Sequence, residues 1–169
     1  LKKIFDYNEG YKKYLDNGKT ERETVTETIE MAKANAERNG LDGRMDFLAA
    51  DVFDLLPELE AKGGKPYDFI ILDPPAFTKS RKTVHSAERG YKEINYRAMK
   101  LLPRGGYLAT CSCSHFMKNE LFVKMLHDAA ADAGVQLKQI EARQQACDHP
   151  VLWNVPETDY LKFYIFQVV

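Results

Sequence analysis

Asp73 is the first candidate for chemistry in this sequence, because of the residues on either side of it. Tyr67-Asp68-Phe69-Ile70-Ile71-Leu72 reads as a buried strand, a short apolar run rich in β-branched and aromatic residues. Pro74 and Pro75 then end it: proline brings no N–H to a ladder and fixes its own φ, and the residue before it is pushed to extended geometry. Asp73 is therefore predicted to stand rigidly at the carboxyl end of a strand, where open α/β sheets bind their ligands. Two cysteines, Cys111 and Cys113, follow a second strand-like run. A thiol becomes a nucleophile where its surroundings favour the thiolate and stays a structural core residue where they do not. The residue types alone leave both readings open. Metal binding is not expected, since Cys111 and Cys113 are too close for a zinc pair and no other Cys or His pair has ligand spacing. A serine nucleophile elbow and a phosphate loop are also missing.

These residues must be positioned by an alternation of strands and helices. Glu21 to Asn39 reads as a helix that stops at Asn39-Gly40. A strand over Met45 to Ala50, a short helix around Phe53 to Lys62 and the strand Tyr67 to Leu72 follow. A polar loop is expected from about Thr78 to Arg89, then a helix from Gly90 to Leu102 closed by Pro103-Arg104-Gly105-Gly106. Tyr107 to Cys111 is the next strand, and Asn119 to Ala133 an amphipathic helix with Leu121, Phe122, Met125, Leu126 and Ala129 on one face. Strands over Val135 to Ala142 and Asp159 to Val169 end the series, and the long loop between them suits an antiparallel hairpin at a sheet edge. The alternation predicts an α/β fold, a mostly parallel sheet covered by helices on both faces. Residues 1–20 show no clear period and read as an arm ahead of a domain over 21–169.

With 169 residues, 44% hydrophobic and 29% charged, the chain fits one domain with a real core. No apolar run approaches the roughly 20 residues that span a bilayer, so no membrane is expected. Three cysteines are too few for a disulfide scaffold and suit a reducing, cytoplasmic setting. A net charge of −1 does not announce nucleic acid, yet Lys79, Arg81, Lys82, Arg89 and Lys92 cluster just after the Asp73 corner. Such a run is ordinarily a solvated face; this one flanks the candidate site.

An ordered series of motifs resembles a known family. Leu72-Asp73-Pro74-Pro75-Ala76-Phe77, then Arg89-Gly90-Tyr91-Lys92-Glu93-Ile94-Asn95, then Gly105-Gly106 before Thr110-Cys111-Ser112-Cys113-Ser114, resemble the class I S-adenosylmethionine-dependent RNA methyltransferases. Within them the bacterial 23S rRNA 5-cytosine methyltransferases of the RlmI type are the nearest in pattern, and Ala146-Cys147-Asp148-His149-Pro150-Val151 and Tyr160-Leu161-Lys162 resemble that family's closing segment. The resemblance covers roughly residues 28 to 169. It implies a Rossmann-like fold with a C-terminal antiparallel hairpin, S-adenosyl-L-methionine as cofactor and ribosomal RNA, 23S rRNA above all, as partner. It departs from the pattern at one place. The family's Gly-rich loop after the first strand, and the acidic residue ending its second, have no counterpart, because Leu15-Asp16-Asn17-Gly18-Lys19-Thr20 leads straight into the helix at Glu21. The first two strands, and the N-terminal PUA-type RNA-binding module, are thus expected to be missing from a partial catalytic domain.

The resemblance also implies roles. Cys113 matches the cysteine that adds to C6 of cytosine and makes C5 nucleophilic enough to take a methyl group; Cys111 is expected in the core. Asp73 would bond the N3/N4 edge of a flipped cytosine and border the cofactor, while Pro74 and Pro75 shape the pocket and Phe77 stacks on the base. Arg89 and Tyr91 are expected on the substrate. Asp51 and Val52 would meet the adenine of the cofactor, although an Asp after a strand is also a common helix N-cap. Asp148-His149-Pro150 is given no catalytic role, and nothing obvious supplies the base that removes the C5 proton. Two other functions fit the same residues: N-methylation of an exocyclic amine by the Asp-Pro-Pro-aromatic corner, which needs no cysteine, or an inactive remnant that binds RNA or self-associates. Losing two strands would bare the edge of the Asp68 to Leu72 strand. Either the Met45 to Ala50 strand moves in beside it, or a second copy makes a homodimer there.

Overall fold

The computed structural model describes residues 2–6, 21–78 and 80–169; the rest of the expected arm, and Lys79 of the basic cluster, lie outside the described residues. The chain divides into two compact units, Leu1–Leu55 and Leu56–Val169. In the first, strand β1 (Lys2–Asp6) pairs in parallel with β2 (Asp46–Ala50), Lys2 opposite Asp46 and Asp6 opposite Ala50. A strand thus stands where the sequence showed no period. Helix α1 (Glu21–Arg38) ends as expected at Asn39-Gly40. Gly40 takes a φ of 63° there, the Leu41 N–H donates to the Ala36 carbonyl at 2.8 Å and the Gly40 N–H to that of Glu37 at 2.9 Å. Glycine alone adopts that φ freely, and the two bonds satisfy carbonyls the helix leaves open. Helix α2 (Val52–Ala61) follows β2 directly and runs across the boundary between the units.

The second unit holds β3 (Phe69–Leu72), α3 (Val84–Leu101), β4 (Tyr107–Ser112), α4 (Asn119–Ala133), β5 (Leu137–Arg143) and β6 (Lys162–Val168). Its four strands form one sheet in the order β3-β4-β6-β5. The closing hairpin is antiparallel, as expected, and β6 inserts between β4 and β5. Among the described residues one pairing of this sheet, β3–β4, is parallel and two are antiparallel, so it is less parallel than the alternation predicted. The inserted β6 is the reason: it pairs antiparallel with both of its neighbours.

Much of the core of this unit lies on one face of the sheet, with Ala109 and Cys111 of β4 buried on the other. Leu108, Thr110 and Ser112 of β4 stand opposite Phe166, Tyr164 and Lys162 of β6, and all six are buried. Tyr91 and Ile94 of α3 and Phe122 and Met125 of α4 cover that face, with the Phe122 ring 5.8 Å from Tyr91 and 6.2 Å from Tyr164. This packing explains the largest boundary change. α3 begins at Val84 rather than Gly90, after a 3₁₀ turn at Arg81–Thr83. The buried Ala87 and Tyr91 draw the helix through Gly90, offsetting glycine's helix penalty of about 1 kcal/mol.

At the other side β3 has one ladder partner, β4, among the described residues. Phe69 and Ile71 stand 48% and 64% exposed on it. β2 pairs with β1 within the first unit. No helix among the described residues is long and apolar enough to cross a membrane.

Candidate active site

Two glycines and a parallel register place the site. Gly105 takes a φ of 90° and donates to the Val168 carbonyl at 2.7 Å, while a Cβ on Gly106 would lie 3.0 Å from the Pro103 carbonyl oxygen. The chain therefore turns tightly out of α3 into β4. β4 runs parallel to β3 with Thr110 opposite Leu72. Asp73, just past the end of β3, therefore meets Cys111, the residue after Thr110 in β4.

Their contact is direct. The Cys111 thiol donates to Asp73 Oδ1 at 3.0 Å and to the Leu72 carbonyl at 3.5 Å. Burial, reinforced by that carboxylate, pushes the Cys111 thiol far above its ordinary range. It stays protonated, as a donor and not a nucleophile. Cys111 is in the core as expected; what the sequence did not reveal is that it fixes one oxygen of Asp73. Cys113 differs. It lies one residue beyond the end of β4, unpaired in any disulfide and half-buried.

A polar seam beneath the corner holds this segment. Ser112 Oγ donates to the Tyr91 hydroxyl at 3.0 Å, and Ser114 Oγ donates to the Thr78 carbonyl at 2.9 Å, tying the segment around Cys113 to α3 and to the loop after Asp73. Tyr91, expected on the substrate, is wholly buried and so is corrected to a supporting role. Burial pushes its hydroxyl up to about 12, against the lowering effect of the Ser112 bond and the Phe77 N–H. Its ring lies 4.5 Å from Phe77, tilted by 44°. Phe77, half-buried, rests on Tyr91 with part of its ring still open. Tyr91→Phe leaves the buried Ser112 hydroxyl without its acceptor, and a loss of about 1–3 kcal/mol is expected in urea denaturation.

Lys162 is the residue that sequence reasoning passed over. It was visible only as part of the closing Tyr160-Leu161-Lys162 segment, with no role. In β6 it faces Ser112, is 8% exposed, and its ammonium donates to the Ser114 and Tyr160 carbonyls at 2.6 Å each. Burial lowers its pKa to about 8, opposed by Cys113, Asp159 and Cys111.

The other expected residues fall around this cluster. Pro74 is buried and Pro75 half-buried directly after Asp73, which is exposed. Arg89, two positions before Tyr91 on α3, points the other way and is exposed. With Lys92, Glu93, Tyr96 and Asp132 it lines an open groove of about 560 Å³ between α3 and α4, and none of the corner residues lines it. Lys92 is bound there by Asp132 at 2.7 Å. Arg81 and Lys82 are exposed. His149 is exposed 3.1 Å from Asp148, a loop pair. In the first unit Asp51 Oδ1 accepts from the Phe53 N–H at 2.8 Å, so the N-cap reading holds. The carboxylate is exposed and Val52 buried.

Comparisons with known proteins identify the family and the fold. Residues 20–166 match the model of the S-adenosylmethionine-dependent methyltransferase family. The chain is 43% identical over 151 residues to ribosomal RNA large subunit methyltransferase I of Klebsiella pneumoniae (strain 342), covering 89% of this chain and 38% of that protein. To the protein of the same name from Yersinia pestis bv. Antiqua (strain Angola) it is 45% identical over 148 residues, 87% of this chain and 37% of the relative. The chain thus spans well under half the length of these curated relatives. Among solved structures, SMU.776 complexed with SAH superposes with a TM-score of 0.68 at 24% identity over 80% of this chain and 35% of that one, which shows the Rossmann-like fold. The chain therefore belongs to the S-adenosylmethionine-dependent methyltransferase family.

Proposed function

We propose that this chain carries the acceptor half of a methyltransferase that acts on C5 of a cytosine in ribosomal RNA, with Cys113 as nucleophile and S-adenosyl-L-methionine as methyl donor. The observation that supports it most is the division of labour between the two cysteines. Cys111 is buried, protonated and bound to Asp73, while Cys113, two residues on, is half-exposed and held by the Ser112 and Ser114 bonds. The relatives named as ribosomal RNA methyltransferases support an RNA acceptor.

In this reading Asp73 Oδ2, left open by the Cys111 bond to Oδ1, meets the N3/N4 edge of the flipped base, and Phe77 stacks on its face. The Cys113 sulfur forms a bond to C6, and the C5–C6 π pair moves onto C5. S-Adenosyl-L-methionine supplies an electrophilic methyl group there. C5 would take that methyl as its bond to the donor's sulfonium sulfur breaks, the donor leaving as S-adenosylhomocysteine; the C5 proton would then go to water, the C5–C6 double bond reform and the Cys113 sulfur depart as thiolate. Asp51 and Val52 would hold the nucleoside part of the donor. Nuclease digestion of 23S rRNA after incubation with the enzyme is expected to yield 5-methylcytidine, while N4-methylcytidine would show the exocyclic-amine reading to be right.

Among the described residues β3 has β4 as its one ladder partner, and pairing of its other edge with a second copy belongs to this reading. Light scattering at micromolar concentration should find a dimer; a monomer contradicts it.

A further inference from the structure

The mechanism above leaves one buried ionisable group unused, and it sits across the ladder from the nucleophile's own segment. Lys162 stands opposite Ser112, the residue before Cys113, and its ammonium donates to the carbonyl of Ser114, the residue after it. A second N–H goes to the Tyr160 carbonyl. Burying a lysine costs several kcal/mol unless it is bonded, and aliphatic residues fill such a place more cheaply. Two carbonyls satisfy two of its three N–H groups. The groups whose charge Lys162 feels are Cys113 and Cys111 around the end of β4, Asp159 in the loop before β6, and Lys118 ahead of α4. Tyr91, from α3, faces the same two cysteines. Asp159 and the sulfurs favour the charged lysine, while Lys118 opposes it.

We infer that Lys162 is a positioning residue for Cys113: its ammonium clamps the Ser114 carbonyl and sets a positive charge beside the sulfur, which favours the thiolate over the thiol. The thiol proton leaves to water. No other cation among the described residues is buried against this segment. With its pKa lowered to about 8, Lys162 is mostly charged near neutral pH and loses that charge above it. The help to Cys113 is therefore greatest near pH 7 and fades by pH 9, when an ordinary thiol is ionised in any case. This inference rests on Cys113 as the nucleophile for its purpose but not for its test, which uses neither RNA nor methyl donor.

The test is the rate at which iodoacetamide alkylates Cys113 between pH 6 and 9, followed by peptide mass spectrometry. Lys162→Met is expected to slow alkylation several-fold at pH 7 with the difference closing by pH 9, and Lys162→Arg, which keeps the charge, to restore the rate. A loss that is the same at every pH would mark a merely structural residue, and no loss would remove the role altogether; either result overturns the inference. Should Lys162→Met fail to fold, the wild-type protein decides. Exposed Cys147 serves as the internal reference, because a ratio of rates at two pH values cancels access. The pH 9 to pH 7 ratio for Cys113 should be smaller than that for Cys147, and an equal or larger ratio overturns the inference. Failure here with retained adduct chemistry would leave Cys113 as nucleophile, whereas loss of that chemistry would leave the alkylation result untouched.

Discussion

Cys113→Ser is expected to lose methyl transfer to RNA by on the order of 10³-fold or more, with folding unchanged. C5 of cytosine is a poor nucleophile, and the reaction needs addition at C6 to push electron density onto it. A serine hydroxyl at the same place is a far weaker nucleophile near neutral pH than a thiol with even a small thiolate fraction. The substitution is otherwise mild: Cys113 is half-buried beyond the end of β4 and lies in no disulfide. Turnover of labelled methyl donor, read beside a thermal melt, separates lost chemistry from lost fold. Retained transfer would move the account to an exocyclic amine, which the Asp-Pro-Pro corner could serve without a cysteine.

Asp73→Asn is expected to lower the rate by about 10²–10³-fold with little change in stability. The asparagine oxygen can still accept from the Cys111 thiol, so the contact that fixes the corner at 3.0 Å is preserved. What disappears is the negative charge that would stabilise the protonated ring as Cys113 adds. Asp73→Ala should lose as much activity and in addition leave the buried Cys111 thiol without its best acceptor. Urea denaturation alongside kinetics distinguishes the two variants: similar rates but a lower midpoint for alanine are expected. Full activity in Asp73→Asn would mean that the carboxylate positions the corner and takes no part in recognition.

Much of this was legible in the sequence where local chemistry decides. Two prolines after a strand put Asp73 at a strand end, and Asn39-Gly40 ended α1 where written. The site was legible as a set of types, and less so as a set of contacts. Tyr91 was expected on the substrate as part of the Arg89-Gly90-Tyr91 motif, but the α3 face it shares with Ile94 buries it against Phe122. The Cys111–Asp73 bond depends on the β3–β4 register, and the Lys162–Ser114 bond on β6 entering beside β4. Both are long-range pairings that no single segment encodes. The same insertion of β6 raised the antiparallel share of the sheet above the expectation from alternation. Gly90 looked like a boundary because glycine weakens helices, and tertiary burial of Ala87 and Tyr91 overrode it.

The most direct test of Cys113 as nucleophile is capture of the adduct itself. An RNA substrate carrying 5-fluorocytidine can take the methyl group at C5 but cannot release fluorine as a cation, so the C6–sulfur bond should persist. Incubation with S-adenosyl-L-methionine is expected to give a protein–RNA complex stable on a denaturing gel. Digestion should then yield a peptide bearing the methylated fluoronucleotide on Cys113. Turnover of normal RNA without any such complex, or a nucleotide attached to Cys111 in place of Cys113, would contradict the account.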